Sequence, residues 1–220
     1  DHSFVLSNVG GVPATGISEV GLGLPFGVKG GLFPGTGGTC GTVLANGSNC
    51  TIVVSYIPSS TGLHSDTMQV NYNDGAVAQN VTVGVQGTGA QRANLIVSDG
   101  PTYDFGSKAV ASTTEKTFNV DNNGGVPATG MAGGGLSTPF RFKGGTYPGT
   151  GGNCGVTLAA ASTCQIVVEY SPISNGSLND TIEISYNDSL DNLTANRAVT
   201  GTGAAPAVLA ISDEPTYDYG

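Results

Sequence analysis

The sequence predicts an all-β chain of tandem β-sandwiches, and three observations carry the prediction. The 220 residues repeat themselves every 114 positions without a gap. Short runs alternate apolar and polar residues with a period of two. Clusters of Gly, Pro, Asn, Asp and Ser separate those runs. The segment Asn8–Gly16 returns as Asn122–Gly130, Lys29–Gly41 as Lys143–Gly155, Val53–Tyr56 as Val167–Tyr170, and Gly87–Ala90 as Gly201–Ala204. About half of the paired positions are identical. A gap-free period of this length means tandem copies of one domain.

Each copy reads as strands joined by turns. In the first, Thr51–Tyr56 is rich in strand formers, and the cluster Pro58–Gly62 follows it. Thr67–Tyr72 alternates and ends in the turn sequence Asn73-Asp74-Gly75. Gly87–Ala90 closes the first copy and Ala93–Ser98 opens the second. Thr117–Asp121, Gln165–Tyr170 and Thr181–Tyr186 repeat the strand pattern there. Val, Ile, Thr and Tyr at period two indicate half-buried strands of antiparallel sheets. No stretch shows sustained helical periodicity. Seven or so short strands in a copy of 114 residues point to tandem immunoglobulin-like β-sandwiches. The antibody signature is missing, since the chain has no Trp.

The repeats are out of phase with the chain ends. Asp1 aligns with Glu115, so the first copy is expected to lack the strands matching Ala93–Thr114. The tail Ala207–Gly220 matches Ala93–Gly106 and opens a third copy. The expected domains are therefore 1–90, an immunoglobulin-like repeat without its opening strands; 91–204, a complete repeat; and 205–220, the opening strands of a further one, a donor segment. Only Gln91 and Arg92 join the copies, which predicts a stiff end-to-end rod.

Composition narrows the function. The formal charge is −9, with only seven Lys and Arg spread along the chain. Nucleic acid and anionic membrane surfaces require clustered cations. No apolar run approaches the roughly 18 residues of a spanning helix, so no membrane insertion is expected. The four cysteines form two equivalent pairs, Cys40 with Cys50 and Cys154 with Cys164. Each pair flanks a turn-rich segment, which predicts one disulfide within each repeat. A zinc site would need four close ligands, and no His recurs. Paired disulfides imply an oxidising compartment, the periplasm, the cell surface or the medium, and the expected location is extracellular or at the cell surface.

The order Tyr103-Asp104-Phe105-Gly106, Phe118-Asn119-Val120 with Asn-Gly-Gly, Cys-Gly-x-x-Leu-Ala-x-x-x-x-Cys, a strand ending Tyr-x-Pro, and a closing Gly-Thr-Gly carries a resemblance. It resembles the bacterial choice-of-anchor D repeats, within the immunoglobulin-like group related to the ASPM/SPD-2/Hydin domains. The resemblance covers both copies and the tail. It implies secreted or surface-anchored repeat proteins, stalks or adhesins, and supplies no common active site.

Several constellations have plainer readings. The Gly-rich run Gly30–Gly41 lacks the Gly-Lys-Ser/Thr and helix of a phosphate loop and reads as a surface loop. Lys29 and Lys143 recur and could form isopeptide bonds, but disulfides already staple each copy. Asp66 and Asp74, with Asp180 and Asp188, could hold calcium between loops; Asn-Asp at these places is first of all turn chemistry. Asp99, Asp104, Asp213 and Asp218 form a weaker candidate set. Seven Asn-x-Ser/Thr sequons, from Asn46 to Asn192, are expected by chance in so Asn- and Ser-rich a chain. His2 and His64 are replaced in the other copy, and no nucleophile elbow is present. No enzyme activity, cofactor or metal is expected.

The expected function is a structural subunit of an extracellular filament or stalk whose partners are copies of itself, head to tail. Leu209, Ile211, Tyr217 and Tyr219 align with Leu95, Val97, Tyr103 and Phe105. They would act as a donor strand completing the first copy of the next chain. The same strand could be supplied covalently if the 220 residues are a slice of a longer chain. The alternative function is an adhesin module that grips glycan or protein on a host or neighbouring cell through loops around Phe33 and Tyr147.

Overall fold

A computed structural model describes residues 1–212 and 215–220. The chain divides into two units, Asp1–Gln91 and Arg92–Gly220. In the first, β1 (His2–Ser7), β5 (Asn49–Tyr56) and β3 (Phe26–Val28) form one sheet in the order β1-β5-β3. The strands β2 (Ala14–Val20), β4 (Val43–Leu44), β6 (Gly62–Asn73) and β7 (Ala78–Gly89) form the other, in the order β4-β2-β6-β7. All pairings in this unit are antiparallel.

The second unit repeats this plan and extends both sheets. One sheet holds β8 (Leu95–Val97), β10 (Thr114–Asn122), β12 (Phe140–Phe142) and β14 (Thr163–Tyr170), in the order β12-β14-β10-β8. The other holds β9 (Thr102–Ala109), β11 (Ala128–Gly134), β13 (Thr157–Leu158), β15 (Gly176–Asn187) and β16 (Asn192–Ala204), in the order β13-β11-β15-β16-β9. Both units are thus two-sheet, nearly all-β structures of immunoglobulin-like type. The register is the same in both: His2 faces Val54 in β1–β5, and Lys116 faces Val168 in β10–β14. The bulge between Thr15 and Ser18 recurs between Thr129 and Ala132.

Alternation explains the cores. Along β5, Ile52 and Val54 point inward and are buried with Ile17, Met68 and Val70. Val53 points the other way yet is also buried, because the Gly-rich loop folds over it. Lys29 N donates to Val53 O (2.9 Å) and Val53 N to Pro34 O (2.8 Å). Gly35, at φ 89°, sits so close to the Val53 carbonyl that a Cβ would collide with it, and Gly149 does the same on Val167. The loop read as a surface feature is therefore a cover for the outer face of a strand. That explains why it is so well matched between the copies.

Each unit carries its own disulfide, Cys40–Cys50 and Cys154–Cys164, with Cα–Cα distances of 4.8 and 4.9 Å. Each bridge ties the loop after the Gly-rich cover to the second residue of β5 or β14.

Candidate functional site

The site is defined by comparing a filled groove with an open one. In the second unit, β8 pairs antiparallel with β10, Val97 facing Val120 and Leu95 facing Asn122. After a turn the chain crosses to the other sheet, where β9 runs parallel to β16 with Thr102 beside Ala198. The segment Ala93–Ala109 therefore closes one edge of both sheets. Leu95, Val97 and Phe105 are buried in the core it completes. The ring of Phe105 lies 5.8 Å from Phe140 and 5.5 Å from Tyr170, and Tyr103 lies edge-on to Phe118 at 5.3 Å.

Polar contacts hold the segment as firmly. Leu95 N donates to the Tyr186 hydroxyl (3.3 Å) and Asn94 N to Asn122 Oδ1 (3.1 Å). Lys116 pairs with Asp99 at 3.0 Å and lies 4.8 Å over the Tyr103 ring. The Ser98 hydroxyl and the Lys116 ammonium hold Asp99 below the usual carboxylate range. The Arg197 guanidinium donates to Val97 O and, at 3.0 Å, to Pro101 O, so it caps both ends of the turn. Arg92, at the head of the segment, pairs with Asp191 (2.8 Å) and Asp188 (3.5 Å).

In the first unit no strand occupies this position among the described residues. The outer edges of β1 and β7 pair with no strand among the described residues. Cavities of about 440, 180 and 320 Å3 follow one another along the gap. The first two share Val5, Leu6, Val70 and Val81; the last two share Phe4. The loss of cover is visible residue by residue. Val85 is half-buried where Val199 is fully buried, and Phe4 is half-buried where Phe118 is fully buried. Val81 is 46% exposed, against 7% for Ala195 at the same place.

The four expected donor residues lie on no strand in this chain. Leu209 and Tyr219 are almost fully exposed, at 95% and 94%, and Ile211 and Tyr217 are also exposed. A strand needs a ladder partner, and residues 205–211 and 215–220 belong to no strand ladder. Leu209, Ile211, Tyr217 and Tyr219 thus lie outside any strand here, with their apolar side chains exposed.

The other candidates resolve into local structure. Asp74 Oδ1 accepts from the N–H groups of Val77 and Ala76, which hold its pKa down, and Asp188 does the same with Asp191 and Leu190. Asp66 accepts from Gly23 N and Thr67 N, and Asp180 from Ser137 and Thr181 N. Asp104 and Asp218 accept from the N–H groups two residues on. Asp213 lies outside the described residues. Among the described residues, no three His, Cys, Asp or Glu side chains are placed to share a metal. Lys29 and Lys143 make ion pairs with Asp1 (2.7 Å) and Glu115 (2.8 Å). Phe33 and Tyr147 pack, partly buried, against the cores of their own units. Burial raises the Tyr147 phenol to about 12. His64 is bonded between the Tyr56 hydroxyl (2.8 Å) and the Ser60 hydroxyl (3.0 Å). The groove residues themselves, with Lys116 and Arg197 as clamps, were not singled out by sequence. Subtracting one copy from the other, position by position, would have marked them.

No family model matches the chain, and no curated protein does. Solved structures are similar only distantly. A Porphyromonas gingivalis W83 protein of unknown function matches at 12% identity over 92% of each chain, with a TM-score of 0.40. The VesB protease of Vibrio cholerae matches at 13% identity over 50% of this chain and 32% of its own, with a TM-score of 0.40. A PapD-like domain of human CEP192 matches at 12% identity over 54% of this chain and 89% of its own, with a TM-score of 0.39. Among the described residues, no helix is long and apolar enough to cross a membrane, and two disulfides are compatible with an extracellular protein.

Proposed function

We propose that the chain is a non-catalytic structural subunit of an extracellular filament or stalk, joined head to tail when residues 207–220 of one copy enter the open groove of the first unit of the next. The observation that carries this reading is the filled groove of the second unit. It holds the segment Ala93–Gly106, whose sequence the tail repeats, against β-strands that repeat those of the first unit. Leu209 and Ile211 would take the places of the buried Leu95 and Val97, and Tyr217 and Tyr219 those of Tyr103 and Phe105. The gain is the burial of side chains now exposed, each worth about 1.5–3 kcal/mol, together with two strand edges closed. Such a contact is heterologous and does not close on itself, so it propagates. The family would be that of the choice-of-anchor D surface repeats, in keeping with the motifs of both copies. For the adhesin alternative, the rings it would use, Phe33 and Tyr147, are engaged in their own cores.

A free peptide spanning residues 207–220 tests this reading. Added in excess to the intact chain, it should occupy the groove and shift assemblies toward capped monomers, read by light scattering. Scattering unchanged by the peptide, while a scrambled control is equally inert, would contradict the reading.

A further inference from the structure

The two units differ most tellingly where an opening segment meets its groove. In the second unit Asp188, whose side chain is only 4% exposed, has Arg92 at 3.5 Å, and Asp191 pairs with the same guanidinium at 2.8 Å. The first unit keeps the turn and its carboxylate, Asp74, but replaces Asp191 by Val77 and Leu193 by Gln79. Gln79 Nε2 donates to Asp74 Oδ2 at 3.1 Å. Both carboxylates accept from the N–H groups of their own turns; the second oxygen meets an arginine of the incoming segment in one unit and an amide of its own unit in the other. The tail has Pro206 where the internal segment has Arg92. Where the second unit has the ion pair of Arg92 and Asp191, the aligned residues of the tail and the first unit are Pro206 and Val77, both apolar.

The turn shows a second matched change. The Arg197 guanidinium lies so close over Gly100 that any Cβ there would run into it. It is held there by its bonds to Val97 O and Pro101 O. The first unit has Val83 at this position, 38% exposed toward the groove, and the tail has Glu214 in place of Gly100. A short valine leaves room for a side chain that the fixed guanidinium excludes.

We propose that the C-terminal segment is matched specifically to a groove of the first unit's kind, and is a poor fit to one built like the second. The determinants are Val77, Gln79 and Val83 on the acceptor and Pro206 and Glu214 on the donor. This rests on the head-to-tail reading and adds a rule of partner choice to it. Pro206 set against a second-unit groove would leave the buried Asp188 with its backbone donors, Leu190 N and Asp191 N, but without the cation that Arg92 brings to its other oxygen. Arg92 set against the first unit would find Val77 and an Asp74 already bonded. Discrimination of this sort works through the unpaired group as much as through the new contact. It keeps a tail from displacing the internal Ala93–Ala109 segment of a neighbouring chain and directs it to the vacant groove.

The test compares two labelled peptides, residues 205–220 and residues 91–106, by fluorescence anisotropy on the intact chain below its assembling concentration. The wild-type chain should bind the 205–220 peptide at least about tenfold more tightly, equivalent to about 1.4 kcal/mol. The variant Val77→Asp, Gln79→Leu, Val83→Arg, changed at exposed positions, should reverse the order. The same order on both chains, or equal binding of both peptides to the wild type, overturns the matching and leaves head-to-tail joining intact. Binding of neither peptide to the wild type overturns both. If the triple variant binds neither, the single change Val77→Asp is paired with a peptide carrying Pro206→Arg. That pair must recover at least about tenfold over the mismatched combinations, or the matching falls.

Discussion

A chain truncated after Pro206 should remain monomeric at concentrations where the intact chain assembles, with its folding unchanged. The second unit is complete at Ala204, the last residue of β16. Residues 207–211 and 215–220 belong to no strand ladder, so the truncation should leave the unfolding transition of the second unit in place. Their proposed contribution lies wholly between chains. Four side chains, Leu209, Ile211, Tyr217 and Tyr219, would pass from exposed positions to the environments of Leu95, Val97, Tyr103 and Phe105. Even with the ordering of the segment set against it, losing this burial should raise the assembling concentration by orders of magnitude. The point variant Ile211→Asp should come close to the deletion, because it would place an unpaired carboxylate where Val97 is 1% exposed. Sedimentation velocity on the three chains reads the outcome directly. Assembly by the truncated chain would mean that the contact lies elsewhere.

Replacing Cys154 and Cys164 together by Ser should destabilise the second unit by about 2–3 kcal/mol, the value for so short a loop. The bridge anchors the loop that follows the Gly-rich cover, and both sulfurs are buried with the core. Loosening it should therefore also expose Val167, which the cover shields through the bond of its N–H to Pro148 O (2.8 Å). Urea unfolding measures the loss, and hydrogen exchange at the Val167 amide locates it. An unchanged transition midpoint would show that the bridge only records a geometry already fixed by the loop.

Much of this fold could be read from the chain. The alternation in Thr181–Tyr186 and Thr67–Tyr72 is strong because one face of each strand is buried, and both segments form strands in the second sheet of their units. The cysteine pairs announce themselves because they recur at the same spacing of ten residues. The Gly-rich loop was legible only as a loop. Its purpose depends on Val53, well beyond it in sequence, whose carbonyl tolerates nothing larger than Gly35. The parallel pairing of β9 with β16 was hidden for a similar reason, since Thr102 meets Ala198 across nearly the whole unit. The specificity contacts were harder still. Arg92 and Asp191 are 99 residues apart, and their joint replacement by Pro206 and Val77 has meaning only once the structure has brought the first pair together.

In the proposed assembly the tail of one chain lies in the groove of another. A photoreactive benzoylphenylalanine placed at position 219 tests it most directly, in an equimolar mixture of isotopically labelled and unlabelled chains. Phe105, its counterpart, lies 5.8 Å from Phe140 and 5.5 Å from Tyr170. Cross-links are expected from residue 219 to the peptides carrying Phe26 and Tyr56, with half of them joining labelled to unlabelled chains. Cross-links that never mix the isotopes, or that fall outside the first unit, would contradict it.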